Sequence, residues 1–458
     1  MRNGKRARAA KVVSAAAAVL VMLSGQSLAQ VPGGGPGGLP KGVPPSEIIP
    51  KKKKSEQPRK VTDPTEPGDI AAGEAWGPKV LIKGNEAHWL ATTNLLLQAV
   101  EEIDAQGMPV GPKLKFDTAV VVFPVLERTG ASRFIPANFK SKLTVQGREE
   151  DLAPEYIKGY QSGARLAKWE ARQKDATEVR LRIEIGMACA ATRLDEKLAM
   201  QIPWPKDGKW PETAASTFKP MMFVDYVVTS AEKTESDKFF AEKVKEWTEG
   251  ADLKTIPPVR VAKMIVGRSI ESVRNQGDGL RFNRTQTFQG FDLRGAMQTL
   301  KEGMGSPHDL ATVTVAGLRA AGIPARLVIG LDNTQAGRAR AKPDKPVLHT
   351  WVEFCLVDPG NGKEIWIPVD PVKLRGVSSR APGLDRDWRF FGSHESLADL
   401  IPLAFHFHPP TTVVAHGSPC LWGWSTTPQT LTAVQSMNFQ ISSRPRRAGD
   451  DPKDDSSK

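Results

Sequence analysis

Cysteine is scarce in this sequence: its 458 residues include three, Cys189, Cys355 and Cys420. They are widely spaced, and at most one intramolecular disulfide can form, which leaves an odd thiol. A scaffold built on disulfides is therefore excluded. We expect all three side chains to be small buried apolar groups.

Long apolar runs are absent after the N-terminal segment, so no later stretch is predicted to span a bilayer. The chain opens with the basic stretch MRNGKRARAAK, and the mostly apolar VVSAAAAVLVMLSG follows it. This order, with small residues at Ser27 and Ala29, is typical of a secretory signal peptide. We expect residues 1–29 to be removed after Ala29 and the protein to be exported, periplasmic or extracellular. An uncleaved membrane anchor is the alternative.

The charge is moderately basic, at +12 for the whole chain, and it is spread out apart from the cluster Lys51–Lys54. Zinc-finger spacing, RNA-binding signatures and basic runs interleaved with aromatic residues are all missing. Nucleic acid is therefore not expected as a partner. Anionic cell-envelope polymers are compatible with such a surface.

Two segments differ from the rest of the chain because they have few apolar side chains to bury. Residues 30–75 are rich in proline, glycine and lysine, and residues 436–458 are rich in charge. Neither segment can offset the entropy of folding, so we predict a disordered linker and a disordered tail.

Residues 76–235 are predicted to form a β-rich N-terminal domain of sandwich type. Val179–Ile185 alternates apolar and polar residues with period two, and Ala119–Phe123 is a second strand ended by a proline. Helices are expected at residues 87–103 and 156–172. No catalytic constellation is recognised in this domain.

A helical period begins at residue 236 and marks a second, α+β domain over residues 236–435. Ser236 is predicted to cap a helix that Gly250 ends, a second helix follows Pro258, and a short third helix covers about 293–302.

The stretch Ser306-Pro307-His308-Asp309 has the form of a helix start. Serine suits the N-cap, proline the first helical position, and Asp309 can reach back in a capping box. The helix is predicted to run to Ala321, where a glycine and then a proline stop it.

A β-hairpin is predicted further on, with strands at residues 347–356 and 364–369 and a turn between them. Folding it about the turn places His349 and Asp370 as diagonal neighbours on one face, with Cβ atoms roughly 7 Å apart. A hydrogen bond between the two side chains can close that gap. The pair alone does not distinguish a structural role from a catalytic one.

Five sequence blocks in residues 300–371 resemble the transglutaminase-like superfamily, a branch of the papain-like cysteine enzymes. In order, they are Leu300-Lys301-x-Gly303-x-Gly305, Asp309-x-Ala311, Leu318–Arg326, His349-x-Trp351-Val-Glu353 and Trp366-Ile-Pro-Val-Asp-Pro371. The resemblance implies a helix whose N-terminus packs against an antiparallel sheet, and peptide or protein substrates.

The resemblance also implies a Cys–His–Asp triad, and its nucleophile is missing here. In the family the cysteine opens the helix, two residues after the glycine and two before the acidic residue. Counting from Gly305 and Asp309 gives Pro307. His349 and Asp370 take the positions of the base and its orienting acid, and are expected to be vestigial.

Other residues offer weaker substitutes for the nucleophile. Ser306 is adjacent, but its hydroxyl is expected to bond the helix amides. Cys355 lies six residues along the strand from His349, which is about 20 Å. His308 could act as a base, but a base without a nucleophile performs no covalent acyl transfer.

Four of the seven histidines lie downstream, at His394, His406, His408 and His416. His406 and His408 would share one strand face, as a zinc or copper site requires. Convincing acidic ligands are lacking, so no metal and no cofactor is predicted, and ordinary histidines remain the simpler interpretation.

The sequence thus predicts an exported transglutaminase-like protein that is catalytically inactive. It would bind a peptide, a protein or an envelope polymer, or act as a scaffold. The alternative is an active peptidase or acyltransferase that uses Ser306 as a displaced nucleophile with His349 and Asp370.

Overall fold

The computed structural model describes residues 80–104, 108–150, 152–157, 164–218, 230–284, 288–340, 347–406, 421–428 and 433–443. The predicted signal peptide, residues 1–29, and linker, residues 30–75, lie outside this part of the chain. Within it, none of the helices combines the length and apolar character needed to cross a membrane.

The strands are numbered in chain order: β1 (Leu81–Ile103), β2 (Pro109–Lys113), β3 (Phe116–Leu126), β4 (Ser132–Val145), β5 (Arg148–Glu150), β6 (Glu155–Ile157), β7 (Ala164–Ala176), β8 (Glu178–Leu194), β9 (Arg274–Asn275), β10 (Leu280–Phe282), β11 (Phe288–Phe291), β12 (Met304–Gly305), β13 (Ala325–Asp332), β14 (Leu348–Val357), β15 (Glu364–Val369), β16 (Leu400–Ala404), β17 (Gly423–Thr427) and β18 (Ala433–Ser443). The α-helices are α1 (Glu196–Ala199), α2 (Glu212–Ala215), α3 (Ser230–Trp247), α4 (Pro258–Ser272), α5 (Ala296–Glu302), α6 (Pro307–Ala320), α7 (Gln335–Arg340) and α8 (Pro371–Val377).

Two sheets make up the β-rich N-terminal region. The larger has the order β10-β11-β18-β1-β8-β4-β5, with β2 added to β1, and the smaller has the order β17-β3-β7-β6. Alternate residues of β1, β3, β7 and β8 enter one shared apolar core. The α+β class with a β-rich N-terminal region is confirmed.

The helix predicted at residues 87–103 is wrong, because β1 covers this segment as one long strand. Its Leu, Gln, Ala and Glu residues favour a helix, but that preference is weak and tertiary contacts override it. The strand pairs along both edges, with β8 and with β18. Leu95, Leu97 and Ala99 are buried while Leu96 and Gln98 are less so, which is the period of a strand.

The helix predicted at residues 156–172 is also wrong. Its described residues form β6 and the start of β7, which pair antiparallel. Ala167, Trp169 and Ala171 are buried at every second position, and Arg172 is exposed. Burial at every second position places the Trp169 ring in the core and is the period of a strand, not of a helix.

The last two strands return to the N-terminal sheets. β17 pairs with β3, and β18 pairs with β1 along Trp89–Ala99. The predicted disorder of residues 436–458 therefore does not hold for residues 436–443, since backbone pairing with β1 stabilises a segment that has little to bury by itself. Residues 444–458 lie outside the described part of the chain.

Three helices and a four-stranded sheet form the core that positions the candidate site. The sheet has the order β15-β14-β13-β16, and α6 packs on β13 and β14. On its other side, α6 contacts α3 and α4 closely, since a Cβ at Gly317 would lie 2.9 Å from Ile265 and 3.1 Å from Trp247. Helix α3 begins at Ser230, so Ser236 is an interior helix residue and not the predicted N-cap.

A buried ion pair joins this core to the N-terminal region. The Arg326 Nε and Nη2 atoms donate to Glu353 Oε2 at 3.0 Å and 2.7 Å, and the backbone N–H of Gly130 donates to Glu353 Oε1 at 2.6 Å. The guanidinium lies 3.9 Å from the centroids of the Trp366 and Phe405 rings. Three of the sequence blocks thus meet in one buried, hydrogen-bonded cluster.

Candidate functional site

The start of α6 has the predicted capping box. Ser306 Oγ accepts from the backbone N–H of Asp309 at 3.2 Å, and the backbone N–H of Ser306 donates to Asp309 Oδ2 at 3.0 Å. The hydroxyl also lies 2.7 Å from the same carboxylate oxygen, as its donor. The proton of Ser306 is therefore directed at Asp309, and the residue is buried.

Pro307 is the first residue of α6, at the position that the resemblance assigns to the nucleophile. Its ring has no heteroatom, so it can neither attack a carbonyl nor transfer a proton. Proline is stable there because the missing N–H has no partner in a helix. Position 307 thus suits the helix start and offers no reactive group.

The structure brings His349 and Asp370 together. Val352 pairs with Val369 across the β14–β15 hairpin, which is the register predicted from the turn. His349 Nε2 lies 2.6 Å from Asp370 Oδ2, while the carboxyl Oδ1 accepts from the backbone N–H of Lys373 at 2.8 Å. The His349 side chain is 11% exposed and Asp370 is fully buried. Since Nε2 is engaged, Nδ1 is the ring nitrogen of His349 left for other contacts.

A second histidine reaches the same carboxylate, and the sequence did not indicate it. His394 Nε2 lies 3.0 Å from Asp370 Oδ2, and its backbone N–H and C=O both bond Thr192 of β8. Asp370 therefore accepts from two imidazoles. His394 lies 24 residues after Asp370 in a loop, so no periodicity marks it. The sequence offers one signal for this contact, which is a histidine in the loop that follows Asp370.

Charge explains why this carboxylate stays ionised. Burial acts to raise the pKa of Asp370, but the charges and hydrogen bonds of His349 and His394 hold it well below its usual range. Burial lowers the pKa of His394 to about 4, and the charge of Lys373 adds to this effect. A neutral His394 thus donates Nε2–H to an anionic Asp370.

His308 links the first turn of α6 to the strand that carries His349. Its Nδ1 lies 2.7 Å from Thr350 Oγ1, and its ring packs edge-on against Phe291. Burial, with a smaller effect from the charge of His349, lowers the pKa of His308 to about 3. The residues that follow Pro307 and His349 are therefore in contact, and this contact joins the start of α6 to β14.

The described thiols are not placed to react with His349. Cys189 and Cys355 are free and buried, and burial raises the pKa of both thiols. Cys355 Sγ points at the carbonyl of Leu356, six residues along β14 from His349. Cys420 lies outside the described residues.

The histidines considered as a metal site are dispersed as far as the structure describes them. His394 bonds Asp370, and His408 and His416 lie outside the described residues. His406 is described and half-buried, with a contact of its own. In the part of the chain that the structure covers, three or more histidine, cysteine, aspartate or glutamate side chains nowhere cluster as metal ligands would.

A cavity of about 280 Å³ opens beside Pro307, between the start of α6 and helix α8. Its walls are mostly apolar and its polar lining is sparse. The lining residues are Val273, Asn275, Gly305, Ser306, Pro307, Leu310, Val372, Arg375 and Gly376. Pro307 therefore borders an open cavity.

The buried neutral His308 predicts a pH-dependent stability. An unfolded histidine titrates near pH 6.5, and the folded residue near 3. Between these values the unfolded chain binds a proton that the folded chain does not, so stability falls as pH drops below about 6.5. We expect His308→Asn, which keeps a polar group near Thr350, to reduce the slope of unfolding free energy against pH by about 1.4 kcal/mol per unit between pH 6 and 4.5.

Urea unfolding of wild type and His308→Asn at several pH values measures this slope. Between pH 7.5 and 8.5 the two slopes should agree, since neither state then binds the proton. Equal slopes below pH 6 would show that folded His308 is protonated.

Three comparisons relate this chain to known proteins. Residues 268–371 match the model of the transglutaminase-like superfamily. A candidate cysteine protease from Cytophaga hutchinsonii has a TM-score of 0.46 and 13% identity, covering 80% of this chain and 94% of that chain. A candidate protease from Parabacteroides distasonis has a TM-score of 0.20 and 11% identity, covering 56% of this chain and 44% of the other. The comparison with curated proteins finds no match.

The antiparallel sheet, the helix start against it and the His349–Asp370 pair form one α+β unit. By its family match, residues 268–371 are a transglutaminase-like domain.

Proposed function

We propose that this chain is an exported protein whose transglutaminase-like domain binds a peptide or an envelope polymer without cleaving it. The observation that carries the proposal is Pro307 at the first position of α6, where the family has its nucleophile. Acyl transfer through a covalent intermediate requires an attacking atom, and proline supplies none.

The contacts of Ser306 support the proposal. A serine nucleophile needs its proton to pass to a base such as His349. Here the hydroxyl contacts the Asp309 carboxylate at 2.7 Å and caps the helix with its oxygen lone pair. Freeing it would break the capping box, which costs about 1 kcal/mol.

The space beside Pro307 supports binding. An apolar cavity with a few polar groups at its edge is the usual form of a ligand site. Asp370, which contacts His349 and His394, caps α8, the helix on the other side of the cavity. The inherited cleft can therefore hold a chain segment that it does not cut.

Filling the cavity should weaken binding. Val372 is half-buried and lines the cavity, whereas Val377 lies on the same helix and is 37% exposed. A library of short peptides and isopeptides, screened by fluorescence anisotropy, should give ligands of wild type. We expect Val372→Phe to weaken their binding at least tenfold and Val377→Phe to leave it unchanged. Failure of the whole library to bind wild type would overturn the proposal.

A further inference from the structure

One arginine in the cavity beside Pro307 has unused hydrogen-bonding capacity. Arg375 lies in the last turn of α8, and its Nε donates to the backbone C=O of Val273 at 3.1 Å. Among the described residues, no carboxylate pairs with it, and its two Nη groups have no hydrogen-bond partner. The guanidinium is thus held at one nitrogen and free at the other two.

This geometry suits a planar anion. Anchoring Nε fixes the guanidinium plane, so less side-chain entropy is lost when the Nη groups bind. Two parallel N–H donors match the two oxygens of a carboxylate, and such charge-assisted bonds are roughly twice as strong as neutral ones. The Nη groups of Arg375 therefore give one wall of the cavity a preorganised site for a carboxylate.

The other walls require an apolar group next to that anion. Val273, Leu310, Val372 and the Pro307 ring supply carbon surface. The volume, about 280 Å³, is near the lower end of ligand pockets, roughly 300–1,000 Å³. It has room for one or two residues and not for a long chain.

We propose that this cavity binds the C-terminal residue of a peptide, with its free α-carboxylate on Arg375 and an apolar side chain against Val273, Leu310 and Val372. Only a C-terminal residue carries both groups on one Cα atom and has chain on one side alone. An internal glutamate offers a carboxylate, but its main chain continues in both directions. The inference rests on the proposed function and names the ligand class of the same cleft.

The test compares three labelled peptides on the full mature chain. One ends in Ala-Leu with a free carboxylate, the second is the same peptide with a C-terminal amide, and the third is amidated with an internal glutamate. We expect wild type to bind the first at least tenfold more tightly than either of the others. This comparison needs no variant, so it does not depend on a mutant that folds.

Variants then assign the carboxylate contact to Arg375. Arg375→Gln should reduce the preference for the free carboxylate to less than threefold, and Arg375→Lys should retain part of it because a point charge remains. Arg380→Gln is the matched control, since Arg380 is exposed and its side chain forms no hydrogen bond or ion pair in the described part of the chain. Its binding should equal that of wild type.

The outcomes distinguish the carboxylate inference from the proposed peptide binding. Equal binding of the acid and the amide, or an unchanged preference in Arg375→Gln, would overturn the carboxylate inference and leave peptide binding in place. If the internal glutamate peptide binds as tightly as the peptide with the free C-terminal acid, the C-terminal inference is overturned. The ligand group is then an acidic side chain. Absence of binding by all three peptides, together with failure of the wider library, would overturn both.

Discussion

Pro307→Cys introduces a thiol that we expect to react with iodoacetamide at pH 6 roughly tenfold faster than free cysteine. A free thiol has a pKa near 8.5, and one at a helix N-terminus beside a histidine is commonly about two units lower. At pH 6 such a shift raises the thiolate fraction roughly 80-fold, while the lower basicity reduces its intrinsic reactivity roughly tenfold. The net gain is therefore about one order of magnitude.

Two controls identify the origin of that rate. The reaction is measured in a Cys420→Ser background, since Cys189 and Cys355 are buried and should stay unmodified. Adding His349→Ala to Pro307→Cys should remove most of the acceleration. The contradicting results are a thiol at position 307 that reacts at the rate of free cysteine, or at a rate that His349→Ala does not change. Either result would show that position 307 does not face this histidine.

Glu353→Gln is expected to lower the free energy of unfolding by about 3 kcal/mol, the largest stability effect we predict. Glu353 is fully buried, and neutralising it leaves the Arg326 guanidinium, 1% exposed, without this carboxylate. The amide oxygen can still accept from Gly130, so the variant removes the charge and the two hydrogen bonds from Arg326 and keeps the backbone contact. Urea unfolding monitored by tryptophan fluorescence measures it.

An exposed ion pair provides the matched control for Glu353→Gln. Arg182 and Glu184 are paired along β8 with side chains 52% and 20% exposed. Glu184→Gln should cost less than about 1 kcal/mol, because water screens and solvates such pairs. The double variant Arg326→Met/Glu353→Leu should be more stable than Glu353→Gln, since it buries no unpaired charge. A cost for Glu353→Gln close to that of Glu184→Gln would contradict a structural role for the pair.

The residues around the candidate site could be predicted because their signals are local. Ser306, Pro307 and Asp309 specify a helix start within four residues, and the turn after β14 fixes which residues of the hairpin face each other. The contact between His349 and Asp370 follows from that register. The resemblance adds position 307 as the place of the nucleophile, which no spacing alone would give.

The long strands and the contact of His394 could not be predicted because they depend on distant residues. Asn94 of β1 bonds Asn438 of β18, 344 residues away, and this pairing makes a strand of a segment whose composition favours a helix. His394 reaches Asp370 through a loop held by Thr192 of β8. Periodicity within a short window contains no information on such pairings.

A cleft that binds a peptide without an attacking atom should leave that peptide intact. The most direct measurement is mass spectrometry of wild type mixed with each peptide that binds, followed over one day with Ser306→Ala and His349→Ala in parallel. We predict that every bound peptide is recovered uncut and that the protein gains no acyl mass. Peptide cleavage by wild type that disappears in both Ser306→Ala and His349→Ala would contradict the claim and assign Ser306 as a displaced nucleophile.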